Sequence, residues 1–281
     1  MPHSIRFGAL ALLVLLTASG GTAWAQQASR PPVDDPDLDL SFEQPDFGVI
    51  TLPTTLRLPR YKSAFRMTHR FTRALGDGDL GDLAGDLFGL DNGAQIGLEY
   101  RFGLMRGLQA GIHRASNNKT IEFFSQYSLF QQGDGRPVGV GILASIDGTN
   151  NFRDSYSPAL GVVLSRTLPG RGALYVEPIW VNNSNPSPSE LVDSNNTVML
   201  GLGARIRIRP TVYLVGEAIP RLAGHDPGVT HGTFGIEKRA GGHTFQLNFS
   251  NGFGTTMGQL ARGGVNNDDW YLGFNLSRKF F

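Results

Sequence analysis

The histidines are the residues from which a catalytic site would most readily be built. A serine nucleophile needs a histidine close enough to take its proton, and on a β-strand that favours a serine two residues away, on the same face. None of His69, His113, His231 and His243 has a serine at that spacing, and Thr233 after His231 is the nearest approximation. The chain also has no cysteine, no H-E-x-x-H motif and no phosphate-binding glycine loop. We therefore expect no enzyme activity, and no catalytic, cofactor-binding or metal site.

The segment "GDGDLGDLAGDLFGLD" is the main candidate for cation binding. Its leucines recur at intervals of three and four, which is typical of a short amphipathic helix. Its aspartates have the right chemistry for a divalent cation, but turn residues and a solvated helix face are the favoured interpretation. The leucines are Leu80, Leu83, Leu87 and Leu90, and the aspartates are Asp77, Asp79, Asp82, Asp86 and Asp91.

Three basic or histidine-containing motifs could bind a ligand, but each has a simpler structural interpretation. In "HRF", His69, Arg70 and Phe71 fit an aromatic girdle beside an inward-facing arginine. Another group, His113, Arg114 and Lys119, could contact an anion near the "NNKT" turn. The third motif, "GGH" at 241–243, most simply forms a tight hairpin, where glycine supplies the positive φ that such turns require.

The first 61 residues predict export and an N-terminal arm. Residues 1–25 have a basic start, a short apolar run and an Ala-Trp-Ala ending, as in a cleaved secretory signal peptide. Residues 26–61 are polar, proline-rich and acidic, which favours a flexible periplasmic arm. The alternative is a plug or a calcium-binding strap, although the regular ligand spacing of a calcium loop is missing.

The residues from 62 to 281 alternate between apolar and polar side chains, as strands with one apolar face do. In "AQIGLEYRFG", Ile96, Leu98, Tyr100 and Phe102 oppose polar neighbours. About twelve such strands of close to ten residues are expected, which is the length that a membrane-spanning β-strand needs. They lie near 62–73, 94–103, 107–114, 119–131, 138–147, 158–166, 173–182, 197–208, 211–220, 230–239, 243–251 and 270–281.

Connection lengths and the last strand indicate a bacterial outer-membrane barrel. Short links alternate with long ones at 74–94, 147–157, 183–196, 221–229 and 251–269, as periplasmic turns alternate with outer loops. The last strand, "WYLGFNLSRKFF", is amphipathic and long enough to cross an apolar band of about 25 Å. The expected interface aromatics are Tyr100, Phe102, Trp270, Phe274 and Phe280, and the expected signal for the barrel assembly machinery is Phe280 with Phe281.

Several segments carry a resemblance to a known family. They are "FRMTHRF", "FGLDNGAQIGLEY", "LQAGIHRASNNKTIEFFSQY", "GGHTFQLNFSN" and "LGFNLSRKF". In this order they resemble the uncharacterised β-barrel family called domain of unknown function 5777, from about Phe65 to Phe280. The resemblance implies a bacterial outer-membrane barrel and supplies no established activity.

The polar strand faces point to two functions. The balanced charge of the chain, +1 at pH 7, gives no reason to expect nucleic acid. Inward charges of both signs would either pair and close the lumen or line a narrow wet path. We expect a passive pore for small polar solutes, narrowed by the 80–90 segment, with a non-conducting anchor for another envelope protein as the alternative. The predicted pore-lining residues are Arg66, Arg70, Glu99, Arg101, Glu122, Arg205 and Arg207.

Overall fold

Long antiparallel β-strands make up most of the computed structural model. It describes residues 43–86, 93–133, 135–185, 195–224 and 228–281. The predicted signal peptide, the first part of the predicted arm and the residues Leu87, Leu90 and Asp91 lie outside these ranges. Among the described residues, no helix has the length and hydrophobicity of a membrane span.

The strands form one antiparallel sheet. Their bounds are β1 Ser63–Ala74, β2 Ala94–Met105, β3 Leu108–Ala115, β4 Thr120–Phe130, β5 Gly139–Gly148, β6 Asp154–Leu168, β7 Gly172–Asn182, β8 Asn196–Arg209, β9 Val212–Ile219, β10 Arg221–Gly224, β11 His231–Ala240, β12 His243–Ser250 and β13 Tyr271–Phe280.

The sheet closes on itself as a barrel of twelve strand positions. Neighbours in sequence pair with each other, β1 pairs with β13, and β9 pairs with both β8 and β11. The short β10 extends the path of β9 along β8. Pro220, which has no N–H to donate, separates β9 from β10. The twelve-stranded barrel expected from the sequence is confirmed.

Side chains alternate between the two faces of each strand, as the sequence pattern predicts. Ile96, Leu98 and Tyr100 point outward and are exposed, whereas Arg101 on the same strand is buried. Because outward residues are large and apolar around the whole ring, the barrel has the surface of a lipid-facing protein.

The connections differ between the two ends of the barrel. At the end that we call the turn end, β2–β3, β6–β7, β8–β9 and β11–β12 are joined by a few residues each. The other end, called the loop end, carries α1 (Leu80–Gly85), a 3-10 turn (Asn117–Lys119), α2 (Thr149–Phe152) and α3 (Met257–Leu260). The loop expected over 147–157 is shorter than predicted because β6 begins at Asp154.

The helix α1 does not enter the barrel. None of its residues is buried, so the predicted constriction by the 80–90 segment is not seen in its described part. The carboxylate of Asp79 caps the helix by accepting from the backbone N–H groups of Gly81 and Asp82. Asp86 pairs with Arg73. These aspartates therefore act as caps and ion-pair partners, and the described residues form no cluster suited to a metal.

Residues 44–58 differ most from the sequence expectation. They were predicted to belong to a flexible arm, but nearly all of them are buried inside the barrel, and Val49, Ile50 and Leu52 have no exposed surface. The prediction of a flexible arm is wrong here because these residues supply apolar side chains and backbone polar groups that match the inner wall. The plug alternative describes them correctly.

Candidate functional site

The inner wall of the barrel has two unlike sides. Strands β5 to β9 contribute mainly apolar buried side chains, among them Leu143, Val163 and Ile179. Strands β1 to β4 and β11 to β13 contribute mainly polar ones, such as Gln126, Gln246 and Asn275. A lumen of this composition can pack apolar groups on one side and bind polar groups on the other.

The residues predicted to line a pore all lie on inward-facing positions of this wall, most of them on its polar side. Arg66, Arg70, Arg101, Glu122 and Arg205 are buried. Glu99 and Arg207 are partly exposed, the latter near the turn end. Whether they line a conducting path stays a prediction, since the lumen around them is occupied.

Some of these charges pair within the wall. Arg205 Nη2 lies 2.9 Å from Glu237 Oε2, with both side chains fully buried. Arg101 Nη2 lies 2.9 Å from Glu99 Oε1. Buried charges need such partners because taking an unpaired charge out of water is costly.

The plug, residues 44–58, is a hairpin whose two ends leave by the turn end. The N–H of Val49 donates to the carbonyl of Leu52, and that of Thr54 donates to the carbonyl of Phe47. At its base, Ser277 Oγ donates to Asp46 Oδ2 at 2.6 Å, and the chain after the plug leads directly into β1. Its tip, at Ile50 and Thr51, reaches into the middle of the barrel.

Glu217 on β9 holds the tip of the plug. Its Oε1 accepts from the backbone N–H groups of Ile50 at 2.6 Å and Leu52 at 2.8 Å, and both carboxylate oxygens accept from the N–H of Thr51. The hydroxyl of Thr51 donates to Oε2 at 2.6 Å. Successive N–H groups converging on one carboxylate form an anion-binding nest, here with the anion on the wall and the nest on the plug.

Polar side chains of the barrel bind the carbonyl groups of the plug. Arg205 donates to the carbonyl of Gly48 at 2.8 Å, and Gln246 donates to that of Val49 at 2.7 Å. Both Arg66 and Asn275 donate to the carbonyl of Ile50. Further along, Gln126, Gln131 and Gln109 donate to the carbonyls of Thr54, Thr55 and Leu56. The plug backbone is therefore hydrogen-bonded by side chains, much as a ligand would be.

Charge also stabilises the base of the plug. Burial by itself would raise the pKa of the Asp46 carboxyl, but Lys279 and Arg66 beside it hold that pKa below its ordinary value. Lys279 also donates to the carbonyl of Pro45. Asp46 is thus ionised at neutral pH and ties the plug to the last strand.

A second segment enters the lumen from the loop end. The connection between β12 and β13, residues 251–270, folds inward, and α3 within it is entirely buried. The N–H of Met257 donates to Glu122 Oε1 at 3.1 Å, and Thr256 Oγ1 donates to Asp147 Oδ2 at 2.5 Å. We call residues 251–270 the inserted loop.

The plug and the inserted loop meet near the middle of the barrel. Leu52 of the plug belongs to the same apolar cluster as Met257 and Leu260 of the loop. A cavity of about 30 Å³ remains between them, bordered by Thr51 and Pro53 on one side and by Thr255 and Met257 on the other. This space is enough for about one or two water molecules, so the two segments together close the lumen.

Several buried polar atoms of the wall have no hydrogen-bond partner among the described residues, and those of Glu177 and His231 are examples. Both carboxylate oxygens of Glu177 and both ring nitrogens of His231 lack a hydrogen bond within the part of the chain that the structure describes. The two side chains have no exposed surface. A buried polar group without a partner costs about 1–3 kcal/mol. The wall therefore has more polar groups than the plug and the inserted loop bind.

The other residues singled out in the sequence take mostly structural positions. His69 stacks on Phe274, with ring centroids 4.7 Å apart, and Arg70 donates to Asn275 Oδ1. Gly241 has a φ of 58° in the turn between β11 and β12. Of the basic group near "NNKT", His113 faces inward, 4.0 Å from Glu122, while Arg114 and Lys119 lie toward the loop end.

The predicted interface aromatics are on the outer face or at its margins. Tyr100 and Phe280 are exposed, whereas Phe102, Trp270 and Phe274 are partly exposed. Phe281 follows the end of β13, and Phe280 completes the outward row of that strand. Their roles at the membrane interface and in barrel assembly stay predictions.

Comparison of the sequence with protein families gives a clear match. The family described as a membrane-bound β-barrel domain, domain of unknown function 5777, matches residues 46–280. The chain belongs to this family. The resemblance seen in the sequence is thereby confirmed, and the match includes most of the plug as well as the barrel.

The other comparisons are with curated proteins and with solved structures. No curated protein matches the chain. The KdgM porin in complex with disordered oligogalacturonate has 7% sequence identity and a TM-score of 0.46, covering 78% of this chain and 99% of that one. A structure of the KdgM porin has 8% sequence identity and a TM-score of 0.45, and the match covers 78% of this chain and 99% of that one. A triple mutant of the Rhodopseudomonas blastica porin has 12% sequence identity and a TM-score of 0.34, and the match covers 70% of this chain and 58% of that one.

Proposed function

We propose that this membrane barrel is a gated channel for small polar solutes in the bacterial outer membrane, seen here in its closed state. The plug and the inserted loop are its two gates, one at each end. The termini lie in the periplasm, so that the loop end faces outward, as in outer-membrane barrels in general. We assign it no catalytic role.

The observation that carries this proposal is the path of the two occluding segments. Each of them enters and leaves the lumen by the same end, the plug by the turn end and the inserted loop by the loop end. Neither threads through the barrel, so each can withdraw without unfolding a strand. Withdrawal of both would open a continuous lumen.

The way in which the plug is held also supports a reversible gate. Polar side chains bind its backbone through hydrogen bonds that water can replace. Glu177 and His231, which have no partner in the closed state, would be hydrated in an open one.

A reversible cross-link between plug and wall tests the proposal. Thr55 Oγ1 and Ser165 Oγ lie 2.5 Å apart, which places the two side chains within reach of a disulfide. The chain has no cysteine of its own, so a Thr55→Cys, Ser165→Cys double variant would form one defined bond. The measurement is single-channel conductance in a planar bilayer under applied voltage.

We expect discrete conductance steps from the unmodified chain, none from the oxidised double variant, and recovery when dithiothreitol reduces the bond. The two single-cysteine variants are the controls and should conduct like the unmodified chain. Oxidised protein that conducts normally would remove the plug as a gate. If the folded and inserted protein is silent even with residues 44–58 and the inserted loop both replaced by glycine-serine linkers, the channel is refuted and the anchor alternative takes its place.

A further inference from the structure

A polar pocket lies at the loop end, over the inserted loop. Its volume is about 410 Å³, within the range of roughly 300–1,000 Å³ of small-molecule sites. It is bordered by the β3–β4 turn, by α2 and the start of β6, and by the inserted loop. None of its residues belongs to the contacts that hold the plug.

The described lining has the chemistry to bind an anion that also carries hydroxyl groups. Lys119 and Arg262 supply positive charge, and no carboxylate is among the described lining residues. The ammonium group of Lys119 makes no hydrogen bond or ion pair within the described part of the chain. Around the two cations, Asn118 and Asn150 offer amides, and Thr149 and Ser155 offer hydroxyls.

Two carboxylates in the same region are already occupied. Asp147 accepts a hydrogen bond from Thr256, and Asp154 accepts one from Asn150 at 2.8 Å. Neither forms a direct ion pair with Lys119 or Arg262 among the described contacts. The charge of Lys119 in particular is available to a ligand.

The backbone around the pocket is held in an uncommon conformation. Asn118, Lys119, Asn150 and Ser155 have φ values of 52°, 50°, 51° and 49°. For residues with a β-carbon this left-handed region costs of the order of 1–3 kcal/mol each, and such strain collects at binding sites. Among the described non-glycine residues with positive φ, Tyr61 alone lies away from the loop end.

Arg262 connects the pocket to the inserted loop. The β12–β13 connection starts on the opposite side of the ring from β5 and β6, so the loop crosses the mouth to reach them. Arg262 follows α3 closely, and its Nε donates to the carbonyl of Ser184 at 3.2 Å. A ligand bound to this guanidinium would therefore touch the outer gate itself.

We propose that this pocket is a receptor site for small anionic, polyhydroxylated solutes of the sugar-acid class, with Lys119 and Arg262 binding the anionic group. The amides and hydroxyls around them bind the hydroxyl groups of the solute. This rests on the proposed function only in making the site the first stop before the channel; the binding itself needs no conduction.

Isothermal titration calorimetry on the full folded chain in detergent tests the site with three probes. Gluconate carries both a carboxylate and hydroxyls, glucose carries hydroxyls alone, and acetate carries the charge alone. We expect gluconate to bind at least about tenfold more tightly than either of the other two. Lys119→Gln and Arg262→Gln should each weaken gluconate binding roughly tenfold or more, since each removes a charge-assisted hydrogen bond.

Matched controls separate the pocket from bulk charge. Arg171→Gln and Lys238→Gln make the same changes at exposed positions near the turn end and should bind gluconate like the unmodified chain. Arg262→Lys keeps the charge and should retain part of the affinity, which a merely structural role of Arg262 would not predict. Heat-dependent gel mobility shows that each variant is folded.

Two results would overturn the site: equal binding of gluconate and glucose, or unchanged gluconate binding in both Lys119→Gln and Arg262→Gln. The two proposals can fail separately. Gluconate binding by a chain that never conducts would leave the pocket standing without the channel. Conductance without gluconate binding would leave the channel standing without the pocket.

Discussion

At the scale of single residues, Glu217 is the group on which the position of the plug depends most. Its carboxylate accepts from three successive backbone N–H groups at the tip. An amide in its place has a single acceptor oxygen and no charge, and its NH₂ group would face N–H donors.

We therefore expect Glu217→Gln to weaken the closed state by about 2 kcal/mol, or roughly 30-fold in the ratio of closed to open. Single-channel recording would show this as a higher open probability. Glu177→Gln is the comparison variant: Glu177 is buried on a nearby strand and makes no hydrogen bond to the plug, so this change should not raise the open probability. Equal open probabilities in the two variants would contradict the role of Glu217.

The buried pair of Arg205 and Glu237 gives a prediction about stability. Removing one partner leaves the other charge buried and unpaired, so Arg205→Ala should lower the free energy of unfolding by about 3–5 kcal/mol. Replacing both residues by methionine removes both charges and should restore most of that loss. Urea unfolding in detergent measures both, and a double variant no more stable than Arg205→Ala would contradict this account.

For single residues, the sequence predicts which way a side chain faces but not what it contacts. Alternation along β1, β2 and β8 correctly places Arg66, Arg101 and Arg205 on the inner face. It does not say what they touch: Arg205, for example, donates to the carbonyl of Gly48 in the plug, 157 positions earlier in the chain. Glu217 illustrates this, because its function depends on residues more than a hundred positions earlier.

At the scale of elements, the strands could be predicted and the filling of the barrel could not. A period of two fixes which side chains point outward, and lipid requires that face to be apolar. The inward face can be apolar or polar, because it does not contact lipid. The missed signal was in β5 to β9, where Leu143, Ile179 and Met199 are apolar on the inner face as well.

Strands that are apolar on both faces need a partner on each side. The segment "FGVITLPTTLRL" provides it, since Val49, Ile50 and Leu52 are buried in apolar clusters with residues of this wall. The acidic residues just before it, at 34–39, dominate the composition of the arm and obscured its apolar part.

The inserted loop gives a prediction at this scale through Gly258. A β-carbon built at Gly258 would lie 2.5 Å from Asp147 Oδ2, too close for contact, so a larger residue has to move the loop away from the wall. We expect Gly258→Leu to raise the open probability of the outer gate. Gly76→Leu is the control because a β-carbon there meets no atom within 4 Å. If both variants conduct like the unmodified chain, the loop does not occlude the lumen.

At the scale of the whole molecule, the outer surface predicts how the barrel sits in a bilayer. Ile236 lies in the middle of β11, beside the outward residues Leu214 and Leu247, whereas Ile208 lies near the turn end of β8. Both are about half exposed, at 52% and 50%. They differ chiefly in depth.

Arginine at mid-depth in a barrel costs about 2–4 kcal/mol, and near the interface about 0–1 kcal/mol. Ile236→Arg should therefore destabilise the barrel in lipid vesicles by about 1–4 kcal/mol more than Ile208→Arg, measured by reversible urea unfolding. Equal costs in vesicles would mean that the apolar band is placed differently. The same pair compared in detergent should differ less, because a micelle adapts to the charge.

The hairpin form of the plug has a mechanical consequence. Its first residues leave by the turn end, so a pull on the chain before Gln44 loads the contacts of Pro45 and Asp46 before those of Ile50 at the tip. Bonds that break one after another yield to a much smaller force than bonds that must break together. A weak tug on the N-terminal side would peel the plug out of the lumen, whereas pressure from the loop end would load all its contacts at once.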